Sequence, residues 1–137
     1  MIDIIIPAYN AHNTIKKTLI SICMQTVKDK INVYIIDDCS NEDYKEIINI
    51  FKDKINIKYY KLKENSGPGV ARQYGLEHSN GEYIYFLDAD DMFMDIYSLE
   101  NLVNNINDND IICGNVFYEG YNNSILSISN NYSFQLH

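Results

Sequence analysis

Three carboxylates stand together at Asp88, Asp90 and Asp91, with the small residue Ala89 between the first two. They end an apolar, aromatic run, Tyr83-Ile84-Tyr85-Phe86-Leu87, which reads as a buried strand. Acids crowded at a strand end repel one another and lose hydration. A hard divalent cation taking oxygen ligands, Mg²⁺ or Mn²⁺, relieves both and could clamp a diphosphate there. Asp88 and Asp90 are the candidate ligands, and Ala89 lets a ligand come close. A cation of the protein's own is offered by Asn65-Ser66-Gly67-Pro68-Gly69-Val70-Ala71-Arg72. Its glycines permit close backbone approach, and a helix opening there presents free N–H groups. Arg72, in the first turn, is placed to reach a phosphate or to pair with an acid. On spacing alone an ordinary surface arginine is the simpler reading.

The elements that must position these groups alternate along the chain. Residues 2–6 read as a strand ending at Pro7, and 13–25 as a helix with Ile15, Leu19, Ile22 and Cys23 on one face. Residues 31–36 form a β-branched strand ending in Asp37-Asp38. Residues 42–52 are helical, with Tyr44, Ile47, Ile48 and Phe51 at i, i+3, i+4 and i+7. Residues 55–62 alternate apolar and polar, which suggests a strand near a sheet edge. A helix from Gly67 to about His78, closed by Asn80-Gly81, leads to a strand at 82–87. A shorter helix at 97–106 and a strand at 110–116 follow. The Asn- and Ser-rich tail from 122 has only a brief apolar alternation, at Ile125 and Ile128.

Such units predict an α/β fold: a mainly parallel sheet with helices on both faces, in three α/β/α layers. Ligands of these sheets bind outside the carboxyl ends of the strands. Pro7-Ala8-Tyr9-Asn10, Asp37-Asp38 and Asp88-Ala89-Asp90 all end strands, so all lie on one rim. A turn or helix cap explains any one of them, Asp37-Asp38 included. Three on one rim are harder to dismiss. There is no G-x-G-x-x-G after the first strand and no Gly-Lys-Ser/Thr, so neither a dinucleotide fingerprint nor a P-loop is present.

Ile6-Pro7-Ala8-Tyr9-Asn10, Asp37-Asp38-Cys39-Ser40, Asn65 to Arg72, and Phe86-Leu87-Asp88-Ala89-Asp90-Asp91, in this order and spacing, resemble the family 2 glycosyltransferases of the GT-A (Rossmann-like) fold. The resemblance covers residues 1 to about 116. It implies inverting, metal-dependent transfer of a sugar from a nucleotide-diphosphate donor, usually a UDP-sugar. Pro7, Ala8 and Tyr9 would line the uracil and ribose pocket, with Tyr9 against the base. Asp38 would accept from the uracil N3–H, and Arg72 would lie near base and diphosphate. Asp88 would meet the ribose or the metal's water shell, and Asp90 would be the main ligand of Mn²⁺ or Mg²⁺. Asp91 would be a supporting acid or a helix cap. The family's catalytic base lies well downstream of the metal motif. Asp95, Glu100, Asp108, Asp110 and Glu119 are poor candidates for it. The base is therefore expected beyond residue 137, and residues 1–137 are expected to be a single nucleotide-sugar-binding domain cut short before the acceptor-binding region. Donor binding with weak or absent turnover follows.

Composition sets outer bounds. The 137 residues are 46% hydrophobic and 22% charged, enough for one packed domain. A formal charge of −8 argues against nucleic acid and anionic membranes as partners. Cys23, Cys39 and Cys113 are odd in number and read as buried free thiols of a reducing cytosol. No run spans a bilayer and no cationic leader is visible. A cytoplasmic chain, or one peripheral at the inner membrane face, is expected. The acceptor, whether saccharide, lipid-linked or protein, is open, and apolar surface on a shortened sheet would favour a homo-oligomer. His12, His78 and His137 lack metal-ligand spacing and read as surface residues. Tyr59, Tyr60, Tyr83 and Tyr85 read as packing. An apolar strand ending in Asp-x-Asp also marks haloacid-dehalogenase-like phosphatases, but here no Lys follows Lys63. An EF-hand fails at Met92 and Phe93. A nucleotide-binding module without turnover is the remaining alternative.

Overall fold

The computed structural model describes residues 1–106, 111–112, 114, 116–119, 125–128 and 133–134. The strand–helix alternation falls into two compact units, Met1–Tyr97 and Ser98–His137.

The first unit holds β1 (Ile2–Ala8), α1 (Ile15–Cys23), β2 (Ile31–Asp37), α2 (Lys45–Phe51), β3 (Asn56–Lys61), α3 (Pro68–His78) and β4 (Tyr83–Phe86). Its four strands are parallel, in the order β3-β2-β1-β4. β1 is central and buried along its whole length, Asp3 included, in keeping with an otherwise apolar sequence. Ile2↔Ile31 and Ile2↔Tyr83 set the register on its two sides. On one face Ile5, Tyr34 and Ile36 pack with Ala71 of α3. Gly75 of α3 sits so close that a Cβ would overlap Ile5 Cγ2. Ile4, Ile6, Val33 and Ile35 fill the opposite face, each fully buried. Burial of one such side chain contributes about 1.5–3 kcal/mol, so this double-sided core dominates the unit's stability. Right-handed crossovers place α1 and α2 on that second face and α3 on the first. Tyr44, which precedes α2, meets Tyr59 of β3 edge-on at 6.3 Å there.

β3 lies at an edge, as its alternation predicts. β4 differs from the expectation of a buried strand. Among the described residues its only sheet neighbour is β1, and Phe86 is 47% exposed. The buried face of α1 also differs. Cys23 is only half-buried, whereas Thr18 and Ser21 are buried beside Ile15, Leu19 and Ile22. Cys39 is half-buried as well, so neither described thiol is a core residue; Cys113 lies outside the described residues.

The second unit holds α4 (Ser98–Asn105), β5 (Ile111–Ile112), β6 (Val116–Glu119), β7 (Ile125–Ile128) and β8 (Ser133–Phe134). The single strand expected at 110–116 is two strands, β5 and β6, with Gly114 between them; glycine has no side chain to hold a strand in place. The tail alternation at Ile125 and Ile128 belongs to β7, which pairs antiparallel with β6 from Val116↔Ile128 to Glu119↔Ile125. β5 and β8 pair through Ile111↔Phe134.

Candidate functional site at the carboxyl rim of the sheet

β1 to β3 are laid down in one direction, and the chain then returns to add β4 on the other side of β1. The order therefore reverses between β1 and β4. Loops diverge at such a point and leave a crevice at the carboxyl ends of the strands. Pro7 and Ala8 end β1, Tyr9 follows at 52% exposure, and Asp88-Ala89-Asp90-Asp91 follows β4.

The β1 and β2 loops are knitted together. Asp38 N–H donates to the Ala8 carbonyl (2.8 Å), Asn10 N–H to Ser40 Oγ (2.9 Å), and Asn41 N–H to Asn10 Oδ1 (3.0 Å). Asn10 and Cys39 both adopt left-handed backbone, at φ 50° and 63°. Asn tolerates that region, whereas for Cys it is strained by about 1–2 kcal/mol, a burden that the surrounding hydrogen bonds must offset. Tyr44 lies beneath this loop. Its hydroxyl accepts from Ala11 N–H (2.8 Å), and its ring stacks on His12 with centroids 4.2 Å apart. His12 is thus half-buried, one ring face packed on Tyr44; exposed His78 stacks similarly on Tyr74 at 4.1 Å, and His137 lies outside the described residues.

Asp37 and Asp38 divide the work at the end of β2. Asp37 is fully buried; Oδ1 accepts from Ser40 N–H and Oδ2 from the Tyr59 hydroxyl, each at 2.7 Å. Burial, then this carboxylate, raises the Tyr59 pKa and keeps the phenol neutral. Asp37 is therefore a turn-former. Asp38, also buried, accepts from Ser66 N–H (2.8 Å) and Gly67 N–H (2.7 Å). It thereby pins the glycine loop, and α3 behind it, to the end of β2. Gly67 has φ 89° and ψ 162°, a region that only glycine occupies readily.

Arg72, one turn into α3, donates to Asp88 Oδ1 at 2.5 Å. The pairing with a rim acid is thus observed, and Arg72 is not the unpaired surface arginine that spacing alone suggests. Ala89 and Asp90 form the centre of a turn closed by Asp91 N–H donating to the Asp88 carbonyl (3.1 Å). No helix starts at Asp91, so the helix-cap reading fails; the next helix is α4, at Ser98. Loss of solvation, then the charges of Asp90 and Asp88, raises the Asp91 pKa. Asp90 is exposed, and no hydrogen bond to its carboxylate is found among the described residues. Asp95 Oδ1 accepts from Tyr97 N–H, and Glu100 lies in the first turn of α4, which matches their reading as ordinary loop and helix acids. Asp108 and Asp110 lie outside the described residues. A cavity of about 390 Å³ lined by His12, Glu42, Asp43, Glu46 and Ile47 includes none of the predicted site residues, and its acidic lining disfavours a diphosphate.

One contribution escapes hydrophobic patterning. Thr18, Ser21 and Gln25 are buried, two on α1 and the third just beyond it, and they bond the segment that carries the acids. Their i, i+3, i+7 spacing is the only trace in the sequence.

The Glycosyl transferase family 2 model matches residues 3–135. An uncharacterized glycosyltransferase of Rickettsia conorii is 42% identical over 92 residues, 67% of this chain and 15% of its own length. The Staphylococcus aureus poly(ribitol-phosphate) β-N-acetylglucosaminyltransferase TarP is 35% identical over 128 residues, 90% of this chain and 39% of its own. The structure of residues 1–349 of TarS from S. aureus, in complex with UDP-GlcNAc, superposes with a TM-score of 0.70 and 31% identity. That match covers 75% of this chain and 30% of that one. The chain thus spans well under half the length of these relatives.

Proposed function

Because the chain belongs to glycosyl transferase family 2 and has the GT-A α/β architecture, we propose that it is the donor-binding domain of a bacterial enzyme that moves a sugar from a UDP-sugar to an acceptor. Family membership removes the phosphatase alternative. The observation that carries the reading is the convergence of Tyr9, Asp38, Arg72 and Asp88–Asp91 on the rim where the strand order reverses. UDP is favoured because the TarS structure at 31% identity holds UDP-GlcNAc. TarS and TarP are both named poly(ribitol-phosphate) β-N-acetylglucosaminyltransferases, which suggests a polyol-phosphate polymer as the acceptor class.

In this reading Pro7, Ala8 and Tyr9 receive uracil and ribose, and exposed Tyr9 offers its ring to the base. Asp38 holds the loop below the base and keeps lone pairs with which to accept from N3–H. The Arg72–Asp88 pair presents both charges at the mouth, toward diphosphate and ribose.

The acidic turn fits a divalent cation. Among the described residues no three His, Cys, Asp or Glu groups are spaced to enclose a metal. Mg²⁺ and Mn²⁺ at phosphate sites commonly take only one or two carboxylates, with phosphates and water as the other ligands. Exposed Asp90 would be that ligand, with Asp88 beside it; burial first, and then repulsion from these two acids, raises the Asp91 pKa, and a cation would relieve the repulsion. When bound, the ion would neutralise charge on the departing nucleoside diphosphate. Transfer would invert the anomeric carbon, with the base supplied by a residue outside this rim.

Calorimetric titration with UDP, GDP, CDP and ADP, each with Mn²⁺ and with EDTA, tests the reading. Selective, Mn²⁺-dependent UDP binding is expected. Failure to bind any of the four diphosphates overturns it.

A further inference from the structure

Residues 91–97 have one apolar anchor, the half-buried Phe93, whose ring meets Tyr85 with centroids 5.3 Å apart. Met92, Met94, Ile96 and Tyr97 are 49%, 62%, 38% and 52% exposed. Beside that contact, a row of hydrogen bonds ties the segment to one side of α1 and to the residues just after it. Thr18 Oγ1 donates to the Ala89 carbonyl (3.0 Å), and Ser21 Oγ accepts from Phe93 N–H (3.1 Å). Gln25 Nε2 donates to the Asp95 carbonyl (2.8 Å), and Thr26 N–H to the Ile96 carbonyl (2.9 Å). The two stretches thus run side by side in the same direction. α1 is a stiff base for them, because Ile15, Leu19 and Ile22 are fully buried on its neighbouring side.

The Ala89 carbonyl belongs to the peptide that joins Ala89 to Asp90. Fixing that peptide plane, with the turn closed by Asp91 N–H on the Asp88 carbonyl, restrains the direction in which the Asp90 side chain leaves the backbone. Both Thr18 and Ala89 are buried, so without the hydroxyl the carbonyl has no water to turn to. We infer that Thr18, supported by Ser21 and Gln25, is a positioning residue that aims Asp90 at a nucleotide-bound cation; the inference rests on the donor-site reading above.

The test compares the 137-residue chain with Thr18→Val, which keeps the shape and loses the hydroxyl, and Thr18→Ser, which keeps the oxygen. Three quantities are read: UDP affinity with Mn²⁺, UDP affinity with EDTA, and hydrogen exchange of the Asp91 and Phe93 amides without ligand. Thr18→Val is expected to weaken the Mn²⁺-dependent affinity by about tenfold or more, the usual effect of losing a residue that orients a metal ligand. Affinity in EDTA stays at the wild-type value, and both amides exchange faster. Thr18→Ser restores all three. A Thr18→Val chain that melts earlier yet binds Mn²⁺ and UDP like wild type overturns the inference alone, leaving Thr18 a packing residue. A wild type without Mn²⁺-dependent UDP binding overturns the donor-site reading, and this inference with it. Should Thr18→Val not fold, Ser21→Ala removes the acceptor for Phe93 N–H together with the bond from Ser21 Oγ to the Thr18 carbonyl (2.7 Å), leaves the Thr18 hydroxyl in place, and is judged by the same readouts.

Discussion

Asp90 and Asp88 differ in what surrounds them, although only Ala89 separates them. Asp90 is exposed and carries no load in the fold, whereas Asp88 is held by Arg72. Asp90→Ala is therefore expected to abolish the Mn²⁺-dependent part of UDP binding and leave the melting temperature unchanged. Wild-type affinity in that variant, with and without metal, would remove the metal assignment. The Arg72–Asp88 pair is a third to half exposed, so solvent screening limits its contribution to stability to about 1 kcal/mol or less. Arg72→Gln should thus fold normally. It leaves three carboxylates without their cation, and UDP affinity should fall in Mn²⁺ and in EDTA alike. A loss confined to Mn²⁺ conditions would place Arg72 with the metal and not with the nucleotide.

At the scale of elements, the loop between β3 and α3 is set by two residues far apart in sequence, Asp38 and Gly67. Gly67→Ala forces an L-residue into a glycine-only region and is expected to destabilise by about 1–3 kcal/mol, read from urea midpoints. UDP affinity should fall with it, since the loop would leave Asp38. Gly69→Ala is the control. It lies inside α3 with open space beside it, so stability should rise by up to about 1 kcal/mol. Equal effects at the two glycines would mean that backbone conformation is not what selects Gly67.

On the whole-molecule scale, the far end of the sheet from the rim depends on Asp3. This fully buried carboxylate accepts from Asn32 Nδ2 (2.8 Å), Asn80 N–H (2.9 Å) and Gly81 N–H (2.7 Å), and so ties β1 and β2 to the turn before β4. Burial alone would raise its pKa, but these bonds and one with Tyr34 outweigh burial and leave it lowered. A lowered folded-state pKa means stability that is fully present above the unfolded value, about 3.9, and is lost as pH falls through the folded value. Asp3→Asn should cost about 2–3 kcal/mol near neutrality, because Asn80 and Gly81 lose a charged acceptor. It should also flatten the acid arm of the stability curve below about pH 4. Parallel curves for variant and wild type between pH 6 and 3 would exclude Asp3 as the source. No described helix is long and apolar enough to cross a membrane.

Hydrophobic period alone determined which stretches of the first unit are strands and which are helices, and the acids and glycines at their ends marked the rim. A parallel sheet brings every strand's carboxyl end to one side, so this much follows from local pattern. Only tertiary structure decided the partners. Which acid Arg72 pairs with, whether Asp37 or Asp38 holds the glycine loop, and which carbonyl the Thr18 hydroxyl reaches depend on contacts across 16 to 71 residues of chain. A polar residue's period cannot report such contacts. The exposure of Phe86 and the division of 110–116 into β5 and β6 were hidden for the same reason. An apolar run shows that a strand forms, but which strands flank it is settled by chain topology.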